Sequence, residues 1–285
     1  MDDCQRISTV FSWKPEEFDD LVRTCDRDNV TPYILGYLPK QGKNVDVGCG
    51  LGRYVRYLAD RGYDIEGIEY NEETVRFVNQ VAPDLNVSQG DALHLPYAEG
   101  TLDGILSLGV VEHFPAGCEE PLRELHRVLK PGGVMVITVP SFNIIRRIKK
   151  AFYWHEFNHF LNPVSIAKRS CVIRTFFGKA PLPSRLSYNR RKCGPYEIYP
   201  LFGEFFEYRL TKEEFEKALR DTGFLILESV PVAHMDGMFH EFGRIFVSFR
   251  NWEFFPSLFG RSLNRLLSKY PFFHNHMHLC VVKKS

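Results

Sequence analysis

The segment Val45-Asp46-Val47-Gly48-Cys49-Gly50-Leu51-Gly52-Arg53 restricts what this chain can fold into more than any other. A short apolar strand ends there in a glycine-rich turn that runs straight into a helix. Each glycine removes a β-carbon and permits positive φ, so the backbone can turn sharply and lie against a ligand at the helix N-terminus. The dinucleotide fingerprint G-x-G-x-x-G would need a glycine where Arg53 stands. The turn reads instead Asp-x-Gly-x-Gly-x-Gly. Its Asp46 carboxylate can accept hydrogen bonds from an ammonium group and would repel a pyrophosphate.

Two more acids fall at the spacing of successive strand ends. Asp64-Ile65-Glu66-Gly67-Ile68-Glu69-Tyr70 reads as a second strand whose terminal Glu69 can accept two hydrogen bonds from a ribose diol. Asn86-Val87-Ser88-Gln89-Gly90-Asp91-Ala92 reads as a third, with Asp91 able to accept from an adenine amino group. This order of groups resembles the class I S-adenosylmethionine-dependent methyltransferases, in particular the small-molecule type 11-like methyltransferase domain. The resemblance continues through Asp103 to Phe114, similar to that family's fourth strand and following loop, and through His126-Arg127-Val128-Leu129-Lys130-Pro131-Gly132-Gly133, similar to its helix end and the turn before the fifth strand. It covers about the stretch from Asn44 to Pro140, with a weaker echo in Leu210-Thr211-Lys212-Glu213-Glu214-Phe215.

The resemblance implies an α/β fold: a doubly wound, mostly parallel, seven-stranded Rossmann-like sheet carrying a helical and aromatic insertion after the fifth strand. It implies that the last strand, Met277 to Val282, is antiparallel and inserted beside the fifth. S-adenosyl-L-methionine is the implied cofactor, with Asp46, Gly48, Cys49, Gly50, Gly52, Glu69, Tyr70, Asp91, Ala92 and Leu108 as its binding residues. His113, just after the fourth strand, is the expected catalytic base, since an imidazole titrates near working pH; a histidine that caps the loop is the alternative. In some relatives a Glu-His pair here binds metal or an anion, so Glu112 with His113 could instead hold a divalent ion. The expected site contains no metal.

Composition is consistent with this and excludes other classes. At 285 residues, 44% hydrophobic and 25% charged, the chain can bury one substantial α/β core. Met1-Asp2-Asp3 does not open a secretory leader and no apolar run reaches spanning length, so a cytoplasmic protein is expected. Its seven cysteines are scattered without a Cys-x-x-Cys pair and read as buried or incidental thiols. A formal net charge of +1 leaves no basic footprint, so a small-molecule substrate is expected and no nucleic acid.

The motifs divide the chain into N-terminal helices with the cofactor-binding half (1–140), an insertion that could be a substrate lid (141–208), and a half that completes the sheet (209–285). Thr31 followed by Pro32 reads as an N-cap and first helical residue, and Thr211 with Glu214 as a capping box. At helical spacing, residues 144–152 put isoleucines and Phe152 on one face and four cations on the other, which suits either a docked surface helix or peripheral contact with an anionic membrane. Tyr188, Tyr196, Tyr199, Phe202, Phe205, Phe206 and Tyr208 could form a lid over an apolar acceptor or a satellite core. His155-Glu156-Phe157-Asn158-His159 matches H-E-x-x-H in form, with no third ligand at a recognised spacing. His274, His276 and His278 would share one face of an extended segment, as metal ligands or as a solvated strand face.

The expected function is methyl transfer from S-adenosyl-L-methionine to a small-molecule acceptor, through an O, N or C atom. The alternatives are a lipid or polysaccharide-precursor methyltransferase at a membrane face, and a cofactor-binding pseudo-enzyme.

Overall fold

A computed structural model describes residues 18–151, 196–201 and 204–285. Two short helices, α1 (Phe18–Thr24) and α2 (Thr31–Tyr37), precede the sheet. Pro32 opens α2, but Thr31 does not cap it. Val30 holds the cap position, while the buried Thr31 hydroxyl donates to the Cys25 carbonyl and meets the Tyr54 hydroxyl at 3.0 Å. A long-range partner has taken the oxygen that local geometry offers to the helix.

Alternation then builds β1 (Asn44–Val47), α3 (Arg53–Ala59), β2 (Ile65–Glu69), α4 (Glu72–Val81), β3 (Val87–Gln89), β4 (Leu102–Leu108), a 3-10 turn (Val111–His113), α5 (Glu119–Val128) and β5 (Leu129–Pro140). β1 is buried throughout, as a strand covered on both faces must be. In α5, Leu122, Leu125 and Val128 recur at helical spacing and bury one face. The turn expected at His126 to Gly133 is largely absorbed into β5, because Leu129 already pairs with Leu102 before the register shifts.

After α6 (Ile144–Ala151) come the hairpin β6 (Glu197–Leu201) and β7 (Glu204–Arg209), then α7 (Lys212–Asp221), β8 (Phe224–Val232), α8 (His234–Phe242), the hairpin β9 (Val247–Arg250) and β10 (Glu253–Pro256), α9 (Leu258–Leu267) and β11 (Met277–Lys284). Thr211 and Glu214 form the expected capping box on α7. The main sheet has seven strands in the order β3-β2-β1-β4-β5-β11-β8. All neighbours run parallel except β11, which is antiparallel to both β5 and β8. One hydrophobic cluster lies against α5 and α7, and another against α1, α2, α3 and α4.

The carboxyl edge of the parallel strands carries the turn after β1, the ends of β2 and β4, and the start of β11. Ligands bind at this edge in open α/β sheets. Ser141 bridges to Leu210 there, so the chain leaves the sheet after β5 and returns beside its point of departure.

The cations of α6 do not all share a solvated face. Arg146 and Lys149 turn inward, while Ile144 and Ile148 are exposed to solvent together with Arg147. Arg146 is buried, donating through Nε to Glu241 Oε1 at 2.6 Å, through one terminal nitrogen to the Ser141 carbonyl, and through the other to His276 Nδ1. Lys149 donates to Glu241 Oε2 at 2.8 Å. A carboxylate 95 residues away, invisible to helical spacing, reversed the expected orientation. Phe152, Tyr188, Phe202 and the His155 to His159 motif lie outside the described residues. At Tyr196 and Tyr208 the rings pack as core: Tyr208 is fully buried and stacks edge-on against Tyr196, its hydroxyl donating to the Pro115 carbonyl. Among the described residues no helix is long and apolar enough to cross a membrane.

Candidate active site

The turn after β1 adopts the conformation its glycines allow. Gly48, Gly50 and Gly52 have φ of 74°, 55° and 73°, a left-handed region in which side chains with a β-carbon are strained. Space separates their roles. A β-carbon on Gly48 would lie 2.4 Å from Val110, so this glycine lets the turn pass the loop after β4. One on Gly50 would meet nothing within 4 Å, so the turn presents bare backbone to open space there. Backbone bonds fix the path: Gly48 and Cys49 both donate to the Ile68 carbonyl, at 2.7 and 3.1 Å.

Glu69 closes this arrangement from β2. Its Oε2 accepts from the Gly50 amide at 2.9 Å and its Oε1 from the Asn71 amide at 2.8 Å. Each carboxylate oxygen can accept two bonds, so one acceptor position per oxygen is left for a diol. Asn71 in turn caps α4 through the Thr74 amide. Asp91, following β3, accepts from the Leu93 amide at 3.0 Å, which orients its carboxylate at the strand end.

Asp46 is buried under the turn. Loss of solvent pushes its pKa up to about 7, against the opposing pull of Arg53, and Glu69 raises it further. Arg53 is itself paired with Asp28 at 2.9 Å. A cation arriving beside Asp46 would restore its charge, and an ammonium group is such a cation.

The remaining expected residues divide by exposure. Tyr70 is exposed at the end of β2, while Ala92 and Leu108 pack on the two hydrophobic clusters. Cys49 turns its sulfur into the sheet, where a β-carbon on Gly67 would lie 2.7 Å from it, so this thiol is a packing group. Burial pushes its pKa well above the ordinary value. Cys25, Cys118 and Cys280 are likewise free and buried.

His113 stands on the 3-10 turn after β4, half-buried. Its Nδ1 is 2.8 Å from the Phe206 carbonyl on β7, and its ring meets the Phe206 ring edge-on. A carbonyl can only accept, so the neutral imidazole carries its proton on Nδ1 and leaves Nε2 as a lone-pair acceptor. Glu112 beside it is buried, with Oε2 lacking a hydrogen-bond partner. Burial, reinforced by Glu207, raises its pKa well above the ordinary carboxylate range, and its Oε1 lies 4.0 Å from His113 Nε2.

The three C-terminal histidines do not share a face. His278 is buried on β11 beside Ser229 and stacks on Phe272; His274 is buried against His234. His276 meets Asp236 and His240 of α8, at 3.8 Å from the former and stacked on the latter. These three could offer ligand atoms to a metal ion. Arg146, however, donates to His276 Nδ1, which leaves the ring proton of the neutral imidazole on Nε2, the atom facing Asp236. His276 thus stands between Arg146 and Asp236, whose other oxygen pairs with His240 at 3.1 Å. Sequence reasoning did not find Glu241 or the Phe206 carbonyl, which meet their partners across many residues, and it passed over Asp236 and His240, a pair one helical turn apart on α8 that local spacing could have marked.

A family profile described as a methyltransferase domain matches residues 45–137. The biotin biosynthesis bifunctional protein BioHC of Cellvibrio japonicus is 30% identical over 195 residues, covering 67% of this chain and 36% of the relative. The 2-methyl-6-phytyl-1,4-hydroquinone methyltransferase of Synechocystis is 33% identical over 107 residues, covering 36% of this chain and 33% of the relative. The chain thus spans about a third of the length of these curated relatives. In fold it is similar to the crystal structure of a S-adenosylmethionine-dependent methyltransferase from Methanosarcina mazei, with a TM-score of 0.53 at 19% identity, covering 89% of this chain and 97% of that one.

Proposed function

Since this chain carries a class I S-adenosylmethionine-dependent methyltransferase domain, we propose that the protein transfers the cofactor's methyl group to a small-molecule acceptor. The observation that carries the proposal is the turn from Gly48 to Gly52: left-handed at all three glycines, open above Gly50, and flanked by Asp46 and Glu69. We assign the ribose diol to Glu69, the methionine ammonium to Asp46 and the adenine amino group to Asp91. The backbone of Gly48, Cys49, Gly50 and Gly52 would line the path, and Tyr70, Ala92 and Leu108 the adenine side.

The bound cofactor supplies a methyl group already activated on a sulfonium. The chain therefore has to align an acceptor, exclude water and take up a proton where the acceptor is a hydroxyl or ammonium. Nε2 of His113 suits the last task, with the Phe206 carbonyl fixing the tautomer as it would for a general base. The insertion between 141 and 208 would supply the acceptor side, and residues 209–285 complete the sheet beneath it. A cytoplasmic setting is part of the same reading, supported by four free, buried thiols among the described residues.

A membrane-face acceptor is the second reading. It is favoured by the outward turn of Ile144 and Ile148, and one relative is named for a phytylated hydroquinone. Calorimetric titration of S-adenosylmethionine into the protein and into Gly50→Val tests the cofactor assignment. Release of S-adenosylhomocysteine on addition of a metabolite extract separates an enzyme from a cofactor-binding module. Binding that survives Gly50→Val would refute the assigned turn, and binding without turnover in any extract would favour the module.

A further inference from the structure

The segment between α8 and β11 presents an apolar and basic surface that methyl transfer does not use. Of α9, only Gly260 is fully buried: a β-carbon there would lie 2.0 Å from the Phe246 carbonyl, so the helix is pressed onto the body at that point, with Leu263, Asn264 and Leu267 half-buried on the same side and the other residues exposed. Leu258, Phe259 and Leu266 are 78%, 73% and 61% exposed, and Tyr270, just past the helix, is 62% exposed. Ser257 caps the helix through the Gly260 amide, and its hydroxyl donates to the Ile245 carbonyl at 2.9 Å. This places Ile245, 69% exposed, beside the helix start.

Charge is distributed with equal asymmetry. At about 100° per residue, Phe259 and Leu266 fall within roughly 20° of each other, while Arg261 and Arg265 lie within about 40° of each other, roughly 130° round the helix from that pair, with Leu258 on their side. α9 has no acidic residue, and Lys269 follows it. From Arg244 to Tyr270 the lone acid is Glu253, which is paired with Arg27. Among the described residues no ion pair is made by Arg261, Arg265 or Lys269. The chain beyond Tyr270 is joined to α6, whose Ile144 and Ile145 amides donate to the Phe272 and Phe273 carbonyls at 3.2 and 3.1 Å. α6 faces Ile144 and Ile148 outward as well.

We propose that α9, with Ile245, Tyr270 and the outward isoleucines of α6, docks the protein on an anionic lipid bilayer. Phe259, Leu266 and Leu258 would enter the headgroup and acyl boundary while Arg261, Arg265 and Lys269 meet lipid phosphates, the arrangement of an interfacial amphipathic helix. A second copy of the chain is the poorer occupant, because pairing this face with itself brings arginines together with no carboxylate on α9 to meet them. Docking also has a consequence for the site. The segment from β8 to β11 leaves and rejoins the sheet at the carboxyl edge, where the Ser141 amide donates to the His276 carbonyl. The crevice edge would therefore lie near the bilayer, within reach of an acceptor held in lipid.

Co-sedimentation of the full chain with phosphatidylcholine vesicles, with and without phosphatidylglycerol, tests the proposal without cofactor or acceptor, so its outcome is independent of the transfer reaction. Partition should be at least about tenfold stronger with phosphatidylglycerol, and should fall as salt is raised. The pair Phe259→Ser with Leu266→Ser, and the pair Arg261→Glu with Arg265→Glu, should each reduce it by about tenfold or more while calorimetric binding of S-adenosylmethionine stays at the parent value. Leu266→Trp should show a blue-shifted emission on adding the anionic vesicles. Equal partition to both compositions, or none, would overturn the proposal. So would a concentration-dependent dimer that Phe259→Ser with Leu266→Ser dissolves, which would assign the face to a second copy.

Discussion

The strand ends around the glycine turn and the junction of α6 with α8 and the start of β11 stabilise their polar groups in opposite ways. At the strand ends, acceptor side chains are held by nearby backbone amides: Glu69 by Gly50 and Asn71, Asp91 by Leu93, and the Asn71 side-chain carbonyl by Thr74. At the α6 junction, charged and polar side chains hold one another across long stretches of chain, as Arg146, Lys149, Glu241 and His276 do. The first arrangement leaves acceptor capacity for a ligand. The second consumes the capacity of its members and fixes two helices, α6 and α8, over the sheet edge.

The largest effect should come from breaking the second arrangement. Arg146→Ala leaves Glu241 buried with one cation and removes the donor to Ser141 and His276, a loss of about 3–5 kcal/mol for a disrupted buried pair. Chemical denaturation measures it. A loss under about 1 kcal/mol would mean that Lys149 alone satisfies Glu241, and that the two regions differ less than the geometry indicates.

Gly50→Val probes the first arrangement. Its β-carbon meets open space, so the cost to the free protein is that of a left-handed valine, about 1–2 kcal/mol, whereas the ligand's volume is invaded. Cofactor affinity should fall by about a hundredfold or more, beyond what is lost in stability. Gly237→Ala offers the contrast: its β-carbon would lie 1.7 Å from the His274 carbonyl, so it should destabilise the fold and leave cofactor affinity of the folded fraction unchanged. Equal ratios of stability to binding loss in the two variants would erase the distinction.

A smaller change is expected for Glu69→Ala, which removes the charge-assisted bonds to the diol together with the bonds holding Gly50 and Asn71. Affinity should weaken by about tenfold or more. Calorimetric affinity equal to the parent value in a folded variant would displace the whole assignment of strand ends.

The smallest signal is a slope, at most about 1.4 kcal/mol per pH unit for each group. The folded pKa of Asp46 is pushed up to about 7 from 3.8, so the folded state keeps a proton that the unfolded state has lost. Its contribution is a fall in stability as pH rises from about 4 to 7, level above that. His274 and His278 have the reverse sign. Burial lowers both to about 4 from 6.5, so the unfolded state takes up protons first and stability is lost as pH falls from 6.5 towards 4. Urea unfolding across this range should show the two slopes partly cancelling in the parent. In Asp46→Asn the histidine slope should stand alone, and the variant should exceed the parent in stability above pH 7 while losing cofactor affinity. An unaltered slope in that variant would place Asp46 in water.

The same contrast explains which parts were legible beforehand. The turn at Gly48 to Gly52, the acids at 69 and 91 and the capping box at Thr211 all rest on interactions within a few residues or on strand-end placement, and each stands in the structure where the sequence puts it. Thr31, by contrast, has the composition of a cap and bonds to Cys25 and Tyr54 instead. The amphipathic pattern of α6 was correctly periodic, yet its orientation was misjudged, since periodicity gives two faces and not which one meets the body.

By itself, the sequence determined the sheet's parallel half, its glycine turn and the carboxylates beside it, because left-handed backbone, strand ends and helix caps are set by neighbouring residues. Tertiary structure alone decided the rest. It set the tautomer of His113 through a carbonyl 93 residues away, buried Arg146 on Glu241, and turned Phe259 and Leu266 outward on α9. Those outcomes depend on which distant surface offers a partner or withholds one, and a pattern of residues carries no distance in space.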